Sequence, residues 1–397
     1  MTDQHTLNII FLLDNPFISD LRVEKEALGL SKIGHRVTII CTHKESLPWD
    51  EERQDLTIKR LIPDCYNRPY SKDYKLRIKD FATRISKMEF DVIHCHDSAM
   101  LRIGFEIKKL KPTSVLIYDT HEYLRGWKYY QDIPGVISKF KGYLVWRYFL
   151  KFEREACKSV VDRIITTTIA ISKQLATDYK LSKMPVVLRN LTSLKPNAHN
   201  NPTSLRAKLN IPMDHLIMVQ SGNIYQRMDE IERMFEVTSH FENLHYVIIN
   251  NRPIANKLKE LISNNPKKYS RIHLVDYNSS NLLEFLQSAD FGVLYMRSKE
   301  WESHYLTSPN RIYEYTQADL PFISVPQTSS EELASEFGHV VFFEQLNYSS
   351  LKSAISQMID QLDTYKTNAR GAVLNWDDEF NSVSDLYKSV AEKKNSI

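Results

Sequence analysis

Between residues 308 and 314, four side chains have the types and spacing to hold an anion and a pair of hydroxyls. Ser308 suits a helix N-cap, and Pro309 the first helical position, where its missing N–H costs nothing. A helix starting there presents unpaired backbone N–H groups and a positive dipole end, a natural seat for a diphosphate. Asn310 and Glu314, four residues apart, share one face a turn further in. A carboxylate in that position can accept hydrogen bonds from both hydroxyls of a ribose. An ordinary capped surface helix ahead of the buried strand Phe322 to Val325 would carry the same pattern.

Elements of α/β type must position these groups. Leu7 to Leu13 and Val37 to Cys41 read as strands, with helical spacing from Asp20 to Lys32 and Gly34 as its stop. Together they predict a βαβ unit, the seed of a parallel sheet. The loop Asp14 to Ser19 falls at the strand end where open α/β sheets bind ligands, but no G-x-G-x-x-G is present. Arg22 and Lys25 could reach a phosphate-bearing acceptor, or form a solvated helix face. Two further strands, Asp91 to Asp97 and Val115 to Glu122, each end in histidine and acid: His96 with Asp97, and Asp119 with His121 and Glu122. Strand ends so alike point to one shared lip. In the second half, the strand Leu216 to Gln220 runs into a loop where Gly222 allows close backbone approach and Arg227 offers a planar fork for phosphate oxygens. Strands at Tyr246 to Asn250, Ile272 to Val275, Phe291 to Tyr295 and Phe322 to Val325 alternate with helices, predicting a second doubly wound sheet. Asn250, Asn251, Asp276 and Tyr277 end their strands where they could border a base.

At 397 residues the chain has room for two full domains, and 42% hydrophobic with 25% charged residues is ordinary for a globular protein. A net charge of +3 gives no argument for a nucleic-acid partner. Cys41, Cys65, Cys95 and Cys157 lack metal-like spacing and suit a reduced cytoplasm. No stretch approaches the roughly 20 apolar residues of a spanning helix, and the run Leu7 to Leu13 has no basic flank of a signal peptide.

The stretch Ser308-Pro309-Asn310-Arg311-Ile312-Tyr313-Glu314-Tyr315 followed by Leu320-Pro321-Phe322-Ile323 resembles the "P-N-K-hydrophobic-aromatic-E-Y … G-L-P-V-I" segment of nucleotide-sugar-dependent glycosyltransferases. The likeness is to the GT-B type, in the retaining, family-4-like, surface-polysaccharide branch. Asp20 to Ala27 with Gly34 to Val37, Ile171 to Leu175, Pro185 to Asn190, and the tail from Asn375 to Tyr387 resemble other parts of the same group.

The resemblance implies an α/β, GT-B fold of two Rossmann-like, doubly wound parallel-sheet domains facing each other across a cleft. It implies an acceptor domain over 1–194, a linker over 195–203, a donor domain over 204–374, and a last helix, 375–397, returning to the first domain with Trp376 as its anchor. By the same likeness His121 would hold a sugar hydroxyl, supported by Asp119 and Glu122, with His96 and Asp97 facing the acceptor. Arg227, Arg311, Gly222, Asn223 and the Ser308 to Asn310 helix start would hold the diphosphate, and Glu314 the ribose.

Three positions depart from the pattern: Asn223 replaces a cation, Leu306 a second glutamate, and Asp319 a glycine. Backbone N–H groups between Thr307 and Asn310 would take over from the missing glutamate. No Asp-x-Asp occurs, so neither a metal nor a cofactor is expected, and a UDP-linked sugar would be the substrate. The implied activity is transfer of that sugar to a hydroxyl of a glycan or lipid-linked acceptor, at the cytoplasmic face of a bacterial membrane. Two alternatives share the architecture: a nucleotide-sugar 2-epimerase, and a catalytically silent nucleotide-sugar-binding protein.

From Gly126 to Arg163, aromatic and basic residues interleave. Tyr143 to Ser159 reads as a long core helix, whereas Trp127 to Lys141 suits contact with an anionic membrane surface.

Overall fold

The computed structural model describes residues 6–18, 20–62, 72–191, 204–224, 226–250, 254–276, 281–297 and 300–394. The expected linker 195–203, Cys65, Asn251 and Tyr277 therefore lie outside the described residues. The chain divides into two compact units, residues 1–189 with 376–397, and residues 190–375.

In the first unit, β1 (Asn8–Leu12), α1 (Leu21–Lys32), β2 (Arg36–Thr42), β3 (Asp50–Arg53), β4 (Leu56–Ile62), α2 (Lys72–Ser86), β5 (Val92–His96) and α3 (Asp97–Leu110) follow in order. Then come β6 (Val115–Thr120), α4 (Val136–Ser159), β7 (Arg163–Thr166), α5 (Ile169–Tyr179) and β8 (Val186–Val187). The second unit holds α6 (Leu205–Leu209), β9 (Leu216–Ser221), α7 (Met228–Ser239), β10 (Leu244–Ile249), α8 (Ile254–Asn264), β11 (Ile272–Val275), α9 (Leu282–Gln287) and β12 (Phe291–Leu294). It continues with α10 (Glu302–Leu306), α11 (Asn310–Gln317), β13 (Phe322–Ser324), α12 (Thr328–Phe337), β14 (Val340–Phe342), α13 (Tyr348–Asp360) and α14 (Leu362–Gly371). The last helix, α15 (Trp376–Lys394), packs in the first unit.

The first sheet runs β3-β4-β2-β1-β5-β6-β7-β8, the second β11-β10-β9-β12-β13-β14. Pairing is parallel throughout except between β3 and β4. That antiparallel edge hairpin was not anticipated, because Asp50–Arg53 is all charge and offers no apolar alternation. Helix α4 also begins seven residues before the expected Tyr143. Its first turns bury nothing: Val136, Ile137 and Phe140 are 86%, 74% and 58% exposed. Inward periodicity starts only at Gly142, and the long core helix is the part from there on.

Strands buried on both faces make each core. Ile9, Phe11, Ile39, Val92 and Ile117 pack with Phe380, Val383, Leu386 and Tyr387 of α15. The crossing of α1 and α15 depends on a glycine: a Cβ on Gly29 would lie 2.7 Å from the Phe380 ring. Trp376, partly buried, packs against the same cluster, and the Lys25 Nζ stands 4.8 Å over its ring. Gly29→Val is expected to lower unfolding stability by about 1–3 kcal/mol through overpacking. Adding Phe380→Leu should recover part of the loss in a urea-melt double-mutant cycle, and strict additivity would count against the contact.

Candidate functional site

In the second sheet the chain passes from β9 outward to β10 and β11, then returns to pair β12 on the other side of β9. The carboxyl ends of β9 and β12 thus flank a switch point, the usual ligand crevice of an open α/β sheet. β9 ends at Ser221, and Gly222 follows with φ +73°, a conformation that favours glycine. Asn250, at the end of β10, donates its Nδ2 to the Gly222 carbonyl at 2.6 Å.

Helix α11 carries Arg311 and Glu314 to this point. Arg311 is only 6% exposed, and its Nη2 donates to the Asn223 carbonyl. A Cβ on Gly222 would stand 3.4 Å from that nitrogen, an ordinary contact, so the positive φ rather than lack of space calls for glycine here. Nε and Nη1 of Arg311 have no hydrogen-bond partner among the described residues. Ser221 Oγ donates to Glu314 Oε2 at 3.4 Å. Burial raises the Glu314 carboxyl above its ordinary range, against the opposing pull of Arg311 and Ser221. Tyr315, behind them, fixes the register of α11. Its hydroxyl accepts from Ser221 N at 3.3 Å and lies 3.2 and 3.1 Å from the carbonyls of Val219 and Val293. Gly292 leaves space for the ring, which a Cβ there would meet at 2.6 Å.

Several expectations for this unit need correction. Pro309 is the N-cap and Asn310 the first helical residue, while Ser308 Oγ donates to the buried Tyr313 hydroxyl at 2.6 Å rather than capping. Thr307 N–H is spent on the Ser303 carbonyl at 2.9 Å, and Pro309 has none, so that stretch can offer only Ser308 and Asn310. Asn310 Oδ1 accepts from Asn190 Nδ2 at 2.6 Å. Arg227 heads α7 with its guanidinium 3.6 Å from Glu230 and 3.7 Å from Asp229, half exposed. Its charge is shared with those acids, and Arg311 is the inner cation. Asp319 stands at φ +56°, which explains why a glycine suits that position and why aspartate tolerates it.

In the first unit the switch point lies between β1 and β5. Asp119, at the end of β6, is fully buried, and Arg22 of α1 pairs with it at 3.0 Å while donating to the Leu188 carbonyl at 2.7 Å. His96 Nδ1 lies 3.5 Å and His121 Nε2 3.4 Å from Asp119 Oδ2. Asp97, at φ +62°, accepts from His121 N at 3.1 Å and faces its Nδ1 at 3.3 Å. Burial alone would raise Asp119, but Arg22, His121 and the bonds from both imidazoles win and hold it well below the carboxylate range. Burial would lower His121, yet Asp97 and Asp119 lift it to about 9. His96 and His94 are driven down chiefly by burial.

The expected roles shift accordingly. Arg22 turns inward and is not available to an acceptor phosphate. Lys25 packs on Trp376, with burial lowering it to about 8. His96 is buried under His121 instead of facing an acceptor, and Asp97 with Asp119 clamps His121, the support assigned to Glu122. Glu122 instead lines the solvent-exposed edge of an adjacent cavity of about 530 Å³. Aromatic walls of that cavity, Trp127, Tyr129, Trp146 and Phe149, were read as core or membrane contacts. The one local hint was Gly142, set among bulky residues.

The Glycosyltransferase Family 4 model matches residues 22–190. Among solved structures, the chain is similar to the sucrose-phosphate synthase of Thermosynechococcus elongatus, with TM-score 0.72, 15% identity, and 96% of this chain and 99% of that one covered. It is also similar to WaaG, a glycosyltransferase involved in lipopolysaccharide biosynthesis (TM-score 0.67, 13% identity, 95% and 99% covered). A third is HepE from Anabaena in complex with UDP-glucose (TM-score 0.66, 10% identity, 98% and 100% covered). No curated protein sequence matches the chain. The whole chain has the GT-B fold of these structures, and its first unit carries the Family 4 match.

The raised His121 pKa makes a stability statement. The charged imidazolium stabilises the fold fully below about pH 6.5, and that contribution is lost as pH rises through about 9. The stability difference between the native protein and His121→Gln in urea melts should therefore shrink from pH 6 to pH 10. A difference that grows over that range would refute the clamp.

Proposed function

We propose that this protein transfers a sugar from a nucleoside diphosphate sugar, UDP-linked by the likeness of the site, to a hydroxyl of a glycan or lipid-linked acceptor. The observation that carries the reading is Arg311 and Glu314 on one helix face beside Gly222: a buried guanidinium with two unused donor nitrogens, and a carboxylate one turn deeper. The diphosphate would complete Arg311 and meet the first-turn N–H groups of α11, and Glu314 would take the ribose diol. Arg227 adds charge from the loop's far end.

With leaving-group charge neutralised by arginine and a helix start, no metal step is needed in this scheme. Retention follows in it from the leaving diphosphate helping to deprotonate the incoming hydroxyl on the same face. His121 would hold a sugar hydroxyl as an imidazolium, sharing a proton it now gives to Asp97. Bacterial surface polysaccharide or lipid-linked glycan assembly, in the cytoplasm, is the setting proposed.

Among the described residues no helix is long and apolar enough to cross a membrane. Peripheral contact is proposed through the exposed start of α4, where Ile137, Phe140 and Leu144 recur at helical spacing with Lys139 and Lys141 exposed beside them.

Thermal shift against nucleotides should show stabilisation by UDP, and release of UDP from a UDP-sugar with a glycosylated product should follow on adding acceptor. Hydrogen bonds to a charged group are worth about 1.5–3 kcal/mol, so Glu314→Ala should weaken UDP binding roughly 10- to 100-fold. An unchanged UDP shift in that variant removes the ribose role. Flotation with phosphatidylglycerol vesicles should be lost in Ile137→Ser/Phe140→Ser and weakened by 0.5 M salt, and equal flotation of that variant sinks the membrane contact.

A further inference from the structure

The cavity beside His121 is not used by the donor chemistry, and its walls are unlike a sugar site. Leu124, Trp127, Tyr129, Val145, Trp146 and Phe149 supply an apolar interior of about 530 Å³, within the roughly 300–1,000 Å³ of small-molecule pockets. Its shape is built in. Trp146 Nε1 donates to the Leu124 carbonyl at 2.9 Å, so the indole meets its polar need in the wall. Gly142 lets the turn at Tyr130 and Ile133 close onto α4, since a Cβ there would lie 2.6 Å from Ile133 Cδ1.

The polar groups gather from the ends of β5 and β6: Asp97, Ser98, Thr120 and Glu122. Asp97 belongs to both places, lining the cavity and holding His121 at 3.3 Å. Two carboxyls and two hydroxyls suit sugar hydroxyls and oppose a phosphate, because among the described residues no lysine or arginine lines the cavity.

We propose that this cavity takes the apolar aglycone of a neutral glycoside acceptor, an alkyl chain attached directly to the hydroxyl-bearing sugar rather than through a phosphate. The assignment as an acceptor site rests on the transferase reading above, whereas the binding itself does not. The exposed apolar stripe of Ile137, Phe140 and Leu144 lies on nearly the opposite face of α4 from Gly142, Val145, Trp146 and Phe149, so adsorption there is separable.

Calorimetry on the whole protein below the micelle concentration tests it, with methyl, hexyl and octyl β-glucoside and octyl phosphate as probes. Affinity should rise roughly fourfold per added methylene, with methyl glucoside undetected and octyl phosphate at least tenfold weaker than octyl glucoside. Val145→Trp should weaken octyl glucoside at least tenfold while leaving the UDP thermal shift intact, which also shows that the variant is folded. Phe140→Ser should change nothing. Equal binding of octyl phosphate, indifference to Val145→Trp, or loss on Phe140→Ser overturns the proposal. Loss of the UDP shift in the native protein would overturn the transferase reading alone.

Discussion

A carboxylate with no side-chain exposure needs a counter-charge, and the ion pair of Asp119 with Arg22 supplies it. Arg22 also holds the Leu188 carbonyl, so this one pair ties α1, β6 and the segment after β8 together. Around it the two imidazoles of His96 and His121 gather, and Asp97 closes the cluster from the start of α3. Buried pairs of this kind contribute position more than net stability, since desolvation offsets most of the Coulombic gain. What the pair secures is the charge state and orientation of His121.

The second unit solves the same placement problem by removing atoms instead of pairing charges. Gly292 clears space for Tyr315, whose hydroxyl reaches β9 and β12 at once. The helix bearing the candidate ligands is thereby pinned to the two strands that flank the switch point. Buried guanidinium nitrogens normally find partners, and two of Arg311's lack them among the described residues. In the function proposed above, diphosphate oxygens would be those partners.

Much of this was legible in the chain itself. Short apolar runs alternating with helical spacing determine two parallel sheets, because period and length are local properties of the chain. That Asn310 and Glu314 share a face was readable for the same reason, four residues apart on one helix, whereas Arg311 came from the family resemblance alone. Gly34 after the end of α1 was likewise written locally, and it stands at φ +96°.

Other assignments waited for contacts between residues far apart in sequence. Arg22 looked free to meet an acceptor until Asp119, 97 positions away, claimed it, and Ser308 looked like a cap until Tyr313 took its hydroxyl. The Glu122 cavity needs three separate segments folded over one another, so no spacing rule could reveal it. Residue order determined which faces and turns could form. Only the folded packing decided which polar groups are spent internally, because burial makes each one find a partner wherever the tertiary structure has brought it.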